Sequence, residues 1–388
     1  SERNLPQDRS FLHLARSQYW NDSTADFLRE LWEMTRRIKP DAIFRHNAHE
    51  RWPMNEIGNF KLSEDNRPCS YDPAGGAMWT NFGLWKYLFE DGGRQKPFVN
   101  GVRSKVDWAE INACGGDAPS IVDADYQAFH KKYGRQIYHN TQPLGRVAVM
   151  IRGLSPVAER APFFTHLARH NVQFDVMIYE QADRYDWKLY SLIVLFDVRC
   201  MSDQIADRLR AFVSAGGNLI ATGPSGLGTE HWLGRDEYAL ADVYGVSLRE
   251  GPTGRLENRF GKGQVVFYPD SIGQKLQQGQ ADELCQRFID DVRRLAGRAV
   301  LEIEAPDGVV ATLMGRGRNK RIVHLINYRP EPIDGVVVRL PGWRFEQVEL
   351  LSPDQPGPRL EQVGVDEQGL RFRVDGLAVY AVAVAGRR

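Results

Sequence analysis

Residues 41 to 53 read DAIFRHNAHERWP. A short apolar run, Ala42–Ile43–Phe44, ends in Arg45, His46, Asn47, His49, Glu50, Arg51 and Trp52. A buried strand that stops and releases ionisable and aromatic groups into a loop is a natural mouth for a site. Carboxylates follow in the same region: Glu50, Glu56, Glu64, Asp65, Asp72, Asp107 and Glu110. Trp52, Tyr71, Trp79 and Trp108 are interleaved with them. Two carboxylates about 5 Å apart, or wider for inversion, are what hydrolysis of a glycosidic bond usually requires. Indole and phenol rings in loops give a platform for a sugar, although each ring singly is more often core packing.

Other chemistries are poorly supported. His46 and His49 are three apart but follow a strand, and no third ligand accompanies them, so neither a metal nor any other cofactor is expected. The run ATGPSGLG (221–228) follows a strand but lacks the GxxxxGK[ST] spacing and its lysine. Cys200 lies beyond the run LIVLF (192–196) without flanking glycines, so it forms no nucleophile elbow. Ser225 and His231 read as loop residues rather than a dyad, and this stretch of chain reads as structural.

The elements that would carry these residues fall into three segments. In residues 1–145, Asp22 or Ser23 is placed to cap a helix. Phe27, Leu28, Leu31, Trp32, Thr35 and Ile38 give that helix one apolar face, and Lys39–Pro40 ends it. A strand Ala42–Phe44, a short strand near Lys61–Ser63, a helix near Asn81–Glu90, a strand Pro97–Asn100 and a helix near Asp123–Tyr133 follow. In residues 146–298, RVAVMI, FDVMI, LIVLF, NLIATG and GQVVFYPD are apolar runs separated by helical stretches. The helix from Asp203 to Ser214 is stopped by Ala215–Gly216–Gly217, and a last helix spans 281–296. Strands alternating with helices predict a parallel sheet covered on both faces. In residues 299–388, VVATLM, RIVHLINY, GVVVRL, FEQVELLS, LRFRV and AVYAVAV alternate with period two between turns, the pattern of a small antiparallel β-sandwich.

The 388 residues carry 50 basic and 50 acidic side chains, a balance that argues against a nucleic-acid footprint. No run of about 18 apolar residues exists, so no membrane partner is expected. The polar start SERNLPQDRS has no signal-peptide core. Cys69, Cys114, Cys200 and Cys285 are far apart and read as mostly buried thiols in a reducing compartment, which implies a cytoplasmic location.

Segment order and several stretches together resemble a known family. FLRELWEMTRRIKPDAIFRHN resembles the helix and sixth-strand region of certain glycoside-hydrolase barrels, and KLSEDNRP and KPFVNGVRSKVDW resemble the strands after it. AVMIRGLSPVAERAPFFTHLARHNVQFDVM and IVLFDVRCMSDQIADRLRAFVSAGGNLIATG resemble a beta-galactosidase trimerisation domain, itself glutamine-amidotransferase-like. The whole is similar to the trimeric beta-galactosidases and to the alpha-L-fucosidase-like hydrolases that share this tail. The resemblance implies an α/β chain in three parts: a partial (β/α)8-barrel segment (1–145), a doubly wound flavodoxin/amidotransferase-like trimerisation domain (146–298) and a small antiparallel β-sandwich (299–388).

A complete (β/α)8 barrel takes about 250 residues, so the first segment resembles the C-terminal half of one. In the beta-galactosidases the acid/base glutamate would then precede this chain, and the nucleophile would sit near Asn100 and Gly101, where no carboxylate stands. That favours the alpha-L-fucosidase-like branch, whose nucleophilic aspartate would lie before Ser1. Under this reading His46, Asn47, His49, Glu50, Trp52 and Trp108 line a sugar site, with His46, Asn47 and His49 on hydroxyls. Glu64, Asp65 or Asp107 supplies the acid/base. The expected partners are a carbohydrate and either further copies of the chain or a second chain completing the barrel. A non-catalytic carbohydrate-binding or assembly subunit is the competing expectation.

Overall fold

The computed structural model describes residues 10–41, 45–46, 60–63, 69–72, 77–82, 85–86, 98–99, 104–116, 123–138, 140–152 and 157–386, with a few single positions between them. The first element is a long helix, Ser10–Ile38, which starts well upstream of the expected cap at Asp22 or Ser23. It stops just before Lys39–Pro40, where proline disfavours a helical predecessor. Leu28, Leu31, Trp32 and Thr35 are half-buried, whereas Phe27 and Ile38, expected on the same face, are exposed.

Short strands follow: β1 (Arg45–His46), β2 (Phe60–Ser63), β3 (Ser70–Tyr71), β4 (Met78–Trp79) and β5 (Phe98–Val99). β1, β2 and β5 form a parallel sheet in that order, with His46 opposite Lys61 and Ser63 opposite Val99. β3 and β4 pair as an antiparallel hairpin. The strand expected at Ala42–Phe44 and most of the helix expected at Asn81–Glu90 lie outside the described residues; Phe82, Trp85 and Lys86 are helical.

Two helices close the segment. Ala124–Ile137 is capped by the Asp123 carboxylate, which accepts from the Asp125 and Tyr126 amides. Lys105–Ala113 was not expected; Ser104 caps it by accepting from the Asp107 amide.

The middle stretch holds β7 (Val147–Ile151), β8 (Phe174–Ile178), β9 (Leu192–Leu195), β10 (Asn218–Thr222), β11 (Leu256–Phe260) and β12 (Gly263–Tyr268), preceded by β6 (Gln142–Pro143). Their order is β11-β12-β10-β9-β7-β8; all pairs are parallel except β11 with β12. Alternate residues serve two cores. Val147, Val149 and Ile151 join one hydrophobic cluster with the helices Val157–Arg169 and Glu283–Ala296. Ala148 and Met150 join another with the helix Asp203–Ala215. Both faces are buried, which is why these strands read as unbroken apolar runs. The helix Asp203–Ala215 ends at Gly216, whose φ of 116° only glycine adopts freely.

The last stretch forms two antiparallel sheets from β13 (Glu302–Glu304), β14 (Val309–Arg316), β15 (Lys320–Asn327), β16 (Val336–Pro341), β17 (Val348–Leu351), β18 (Arg359–Val365), β19 (Gly369–Asp375) and β20 (Tyr380–Gly386). One sheet has the order β13-β16-β19-β18, the other β17-β20-β15-β14-β6. Val309, Ala311, Leu313, Val323, Leu325, Ala381 and Ala383 of the second share a core with Val336, Val338, Leu370 and Phe372 of the first. Their neighbours Val310, Met314, Ile322, Tyr380 and Val382 point the other way, into the cluster that holds Trp108, Phe163 and Val149. One apolar cluster therefore runs through all three stretches of chain.

β6 covers only Met314 and Gly315 of β14. Side-chain amides complete that exposed edge. Asn171 Oδ1 accepts from the Ala311 amide (2.8 Å) and its Nδ2 donates to the Val309 carbonyl (3.2 Å). Gln173 Nε2 donates to the Ala311 carbonyl (2.9 Å), and its Oε1 accepts from the Leu313 amide (3.0 Å). The pair substitutes for a strand and satisfies backbone groups that burial would otherwise leave unpaired.

Candidate functional site

The parallel strands β1, β2 and β5 deliver the chain to one sheet edge. In a parallel sheet the carboxyl ends lie together, and residues that follow them build the site. His46 ends β1 and Ser63 ends β2. Asn47, His49, Glu50 and Trp52 come next after the first, and Glu64 and Asp65 after the second; these six lie outside the described residues.

Asp107 and Trp108 are fully described, and the structure corrects what was expected of both. They open the helix Lys105–Ala113 rather than a loop. Trp108 is 0% exposed, and its indole N–H donates to the Ala118 carbonyl at 2.7 Å. Its ring meets Tyr126, Tyr138 and Tyr380 edge-on at 5.0, 6.2 and 5.5 Å. No face is left for a sugar, so Trp108 is a core residue. Asp107 is also buried: Oδ1 accepts from the Cys69 amide at 2.9 Å, and Oδ2 from the Ser104 hydroxyl at 2.7 Å. Its carboxylate is engaged in tying a helix start to the hairpin, a geometry that exposes no oxygen to a substrate.

One turn on, Glu110 sits at 0% exposure. Oε1 accepts from the Tyr328 hydroxyl, and Oε2 from the Asn81 amide at 2.9 Å. Burial pushes this carboxyl from its ordinary 4.5 up to about 7; the hydrogen bonds from Tyr328, Cys69 and Asn81 pull the other way, and Asp107 adds a small push upward. Cys69 lies beside both acids, and burial first, then Glu110 and Asp107, holds its thiol in the protonated form. Glu110 was among the carboxylates the sequence offered; Tyr328 and Cys69 were not singled out. The available local signal was Ser104-x-x-Asp107, the spacing of a helix start.

The middle sheet carries no described catalytic arrangement. Ser225 is buried, donates to the Thr222 carbonyl at 2.7 Å and accepts from the Val198 amide at 3.0 Å. The His231 side chain is exposed and lies next to Glu230. Cys200 is buried, and burial raises its thiol against the nearby arginines. Asp197, at the carboxyl end of β9 with a φ of 47°, accepts from the Thr222 hydroxyl at 2.6 Å and from the Ser271 hydroxyl. It ties the ends of β9 and β10 to the start of the helix Ile272–Gln277. Among the described residues no group of three His, Cys, Asp or Glu converges on a metal-sized site, and no helix is long and apolar enough to cross a membrane.

Comparison with known proteins adds to this geometry. Residues 144–254 match the family model of the beta-galactosidase trimerisation domain. A stretch of 95 residues is 35% identical to beta-galactosidase BbgII of Bifidobacterium bifidum, covering 24% of this chain and 13% of that protein. In structure the chain is similar to alpha-L-fucosidase isoenzyme 2 from Paenibacillus thiaminolyticus, with a TM-score of 0.66 at 17% identity over 94% of this chain and 71% of that one. It is similar also to a beta-galactosidase from Halorubrum lacusprofundi, with a TM-score of 0.64 at 16% identity over 98% and 69%. At such identities the structural likenesses establish a shared mixed α/β fold. The trimerisation-domain match covers β7 to β10 of the parallel sheet.

Proposed function

We propose that this chain belongs to a carbohydrate-active protein that binds or hydrolyses a glycoside, nearest the alpha-L-fucosidase-like branch. The trimerisation-domain match at 144–254 carries the reading, because it sits between a run of parallel strands and a pair of antiparallel sheets. Under it, 1–145 is part of a (β/α)8-like barrel, 146–298 an assembly domain and 299–388 a β-sandwich. The sugar lies at the carboxyl edge of β1 and β2. His46, Asn47 and His49 hold its hydroxyls, Glu50 and Trp52 border it, and Glu64 or Asp65 serves as the acid/base. Copies of the chain associate through the middle domain.

A non-catalytic carbohydrate-binding or assembly role is the second reading. One observation favours it: Asp107 is consumed as a buried helix anchor, so it drops out as an acid/base. Beta-galactosidase activity is a third outcome, in line with the names of two of the relatives.

Aryl α-L-fucosides and aryl β-D-galactosides, offered to the purified protein, separate these readings. Fucoside turnover that falls at least about 100-fold in Asp65→Asn or Glu64→Gln supports the first. Binding of free sugar without turnover, lost in Trp52→Ala, supports the second. Neither turnover nor binding sinks both. Light scattering reports the oligomer, and a monomer would refute the assembly role of the middle domain.

A further inference from the structure

The hairpin β3–β4 and the turn after it are held by all three stretches of the chain at once. Thr80 meets Thr165 of the helix Val157–Arg169, hydroxyl to hydroxyl at 3.3 Å. Tyr71 donates to Asp307, beyond β13, at 3.4 Å. The Asn81 amide donates to Glu110, which also accepts from Tyr328, beyond β15. The Cys69 amide donates to Asp107, and Asn81 Nδ2 donates to the Cys69 sulfur at 3.4 Å. Thr312 of β14 donates to the Ala113 carbonyl at the end of the helix Lys105–Ala113, at 2.9 Å.

A single fully buried carboxyl, Glu110, lies at the centre of these bonds. Asp107 faces it from its own helix, Cys69 from the hairpin and Tyr328 from the loop after β15, with Cys114 acting on Tyr328 from behind. Among the described residues these are the groups shown to act there, and none of the four is a cation able to compensate a negative charge. A buried carboxylate without a counter-charge is costly, whereas the neutral acid is tolerated.

We propose that this junction is a pH-sensitive latch. With Glu110 protonated, the hairpin and the helix Lys105–Ala113 are locked onto the body formed by the parallel sheet and the antiparallel sheets. Ionisation of Glu110 loosens that lock. The opened junction exposes Glu110 to water, where its ordinary value is 4.5, against about 7 when latched. The Glu110 contribution to locking is complete below the open-state value. It weakens as pH rises and is fully lost above the latched value. The opening equilibrium should therefore grow by about 300-fold at most between pH 4 and pH 8.5.

Amide hydrogen exchange tests this directly. Residues 69–82 and 105–114 are followed from pH 5 to 8.5 in the wild type and in Glu110→Gln, each corrected for intrinsic exchange. The expected result is an opening frequency that rises with pH in the wild type and stays flat in Glu110→Gln, while β7, β9 and β10 are unaffected in both. Asp175, another buried acid raised to about 6, is common to both proteins and cancels in the comparison. Equal pH dependence in the two proteins overturns the latch.

Should Glu110→Gln not fold, Tyr328→Phe decides. Its lost hydroxyl removes a bond that lowers the Glu110 value, so the wild-type transition must move to higher pH. An unmoved transition overturns the proposal. Infrared spectroscopy gives an independent readout: a protonated-carboxyl band should fade across the same transition.

Discussion

The parallel sheet and the junction of hairpin, helix and antiparallel sheets are built on opposite principles. In the sheet, β7, β9 and β10 bury aliphatic residues on both faces, and Val149, Val194 and Ile220 share one cluster while Met150, Leu195 and Leu219 share the other. Its cohesion is apolar burial, which is insensitive to pH and spread over many small contacts. In the junction, buried side-chain amides, hydroxyls and carboxyls do the connecting: Asn171 and Gln173 on β14, Tyr328 and Asn81 on Glu110, Cys69 and Ser104 on Asp107. Such bonds add little each, but their loss leaves a buried group unpaired. The regular regions therefore set overall stability, whereas the polar seams set which pieces stay together and at what pH.

Three substitutions sharpen or break that contrast. Trp108→Ala should have the largest effect. The ring fills the apolar cluster beneath the junction, so its loss should lower unfolding free energy by about 3–5 kcal/mol, measured by urea denaturation. A small loss would return Trp108 to the list of surface platforms.

Asn171→Ala should cost less, about 1–3 kcal/mol, because it orphans the Ala311 amide and Val309 carbonyl. Faster exchange at Ala311, with β15 unchanged, would localise the damage to the edge of β14. A uniform loss across the molecule would refute a local clasp.

Ile220→Val should be mildest, about 0.5–1.5 kcal/mol, with the same cost at pH 5 and pH 8.5. A pH-dependent cost there would break the distinction between the two regions.

Much of the regular architecture was legible because its physics is local. The expected FDVMI matches β8 residue for residue, and the glycine stop after the helix Asp203–Ala215 is where Gly216 takes its positive φ. Elements that escaped share one of two causes. The helix Lys105–Ala113 is buried from Asp107 through Ala113 and mixes buried polar residues (Asp107, Glu110, Asn112) with apolar ones, so it shows no polar-out, apolar-in helical period to read. Strands β11 and β18 lie at sheet edges with half-exposed or exposed residues, and their sequences, LENRF and RLEQVGV, lack a clean apolar alternation.

The candidate site divides the same way. Residue types at the ends of β1 and β2 pointed to sugar chemistry, but type alone did not separate a loop carboxylate from a helix anchor. Asp107 and Trp108 were grouped with the site for that reason, and burial removed them from it.

By itself, the sequence determined the apolar strands of the parallel sheet and the alternating strands after residue 299, because periodicity and turn chemistry act over a few neighbouring residues. Only the tertiary structure decided that Glu110 meets Tyr328, 218 positions away, and that Asn171 and Gln173 complete the edge of β14 from 140 positions away. Those pairings depend on how separate elements pack, and desolvation at the place where they meet changes what each side chain can do.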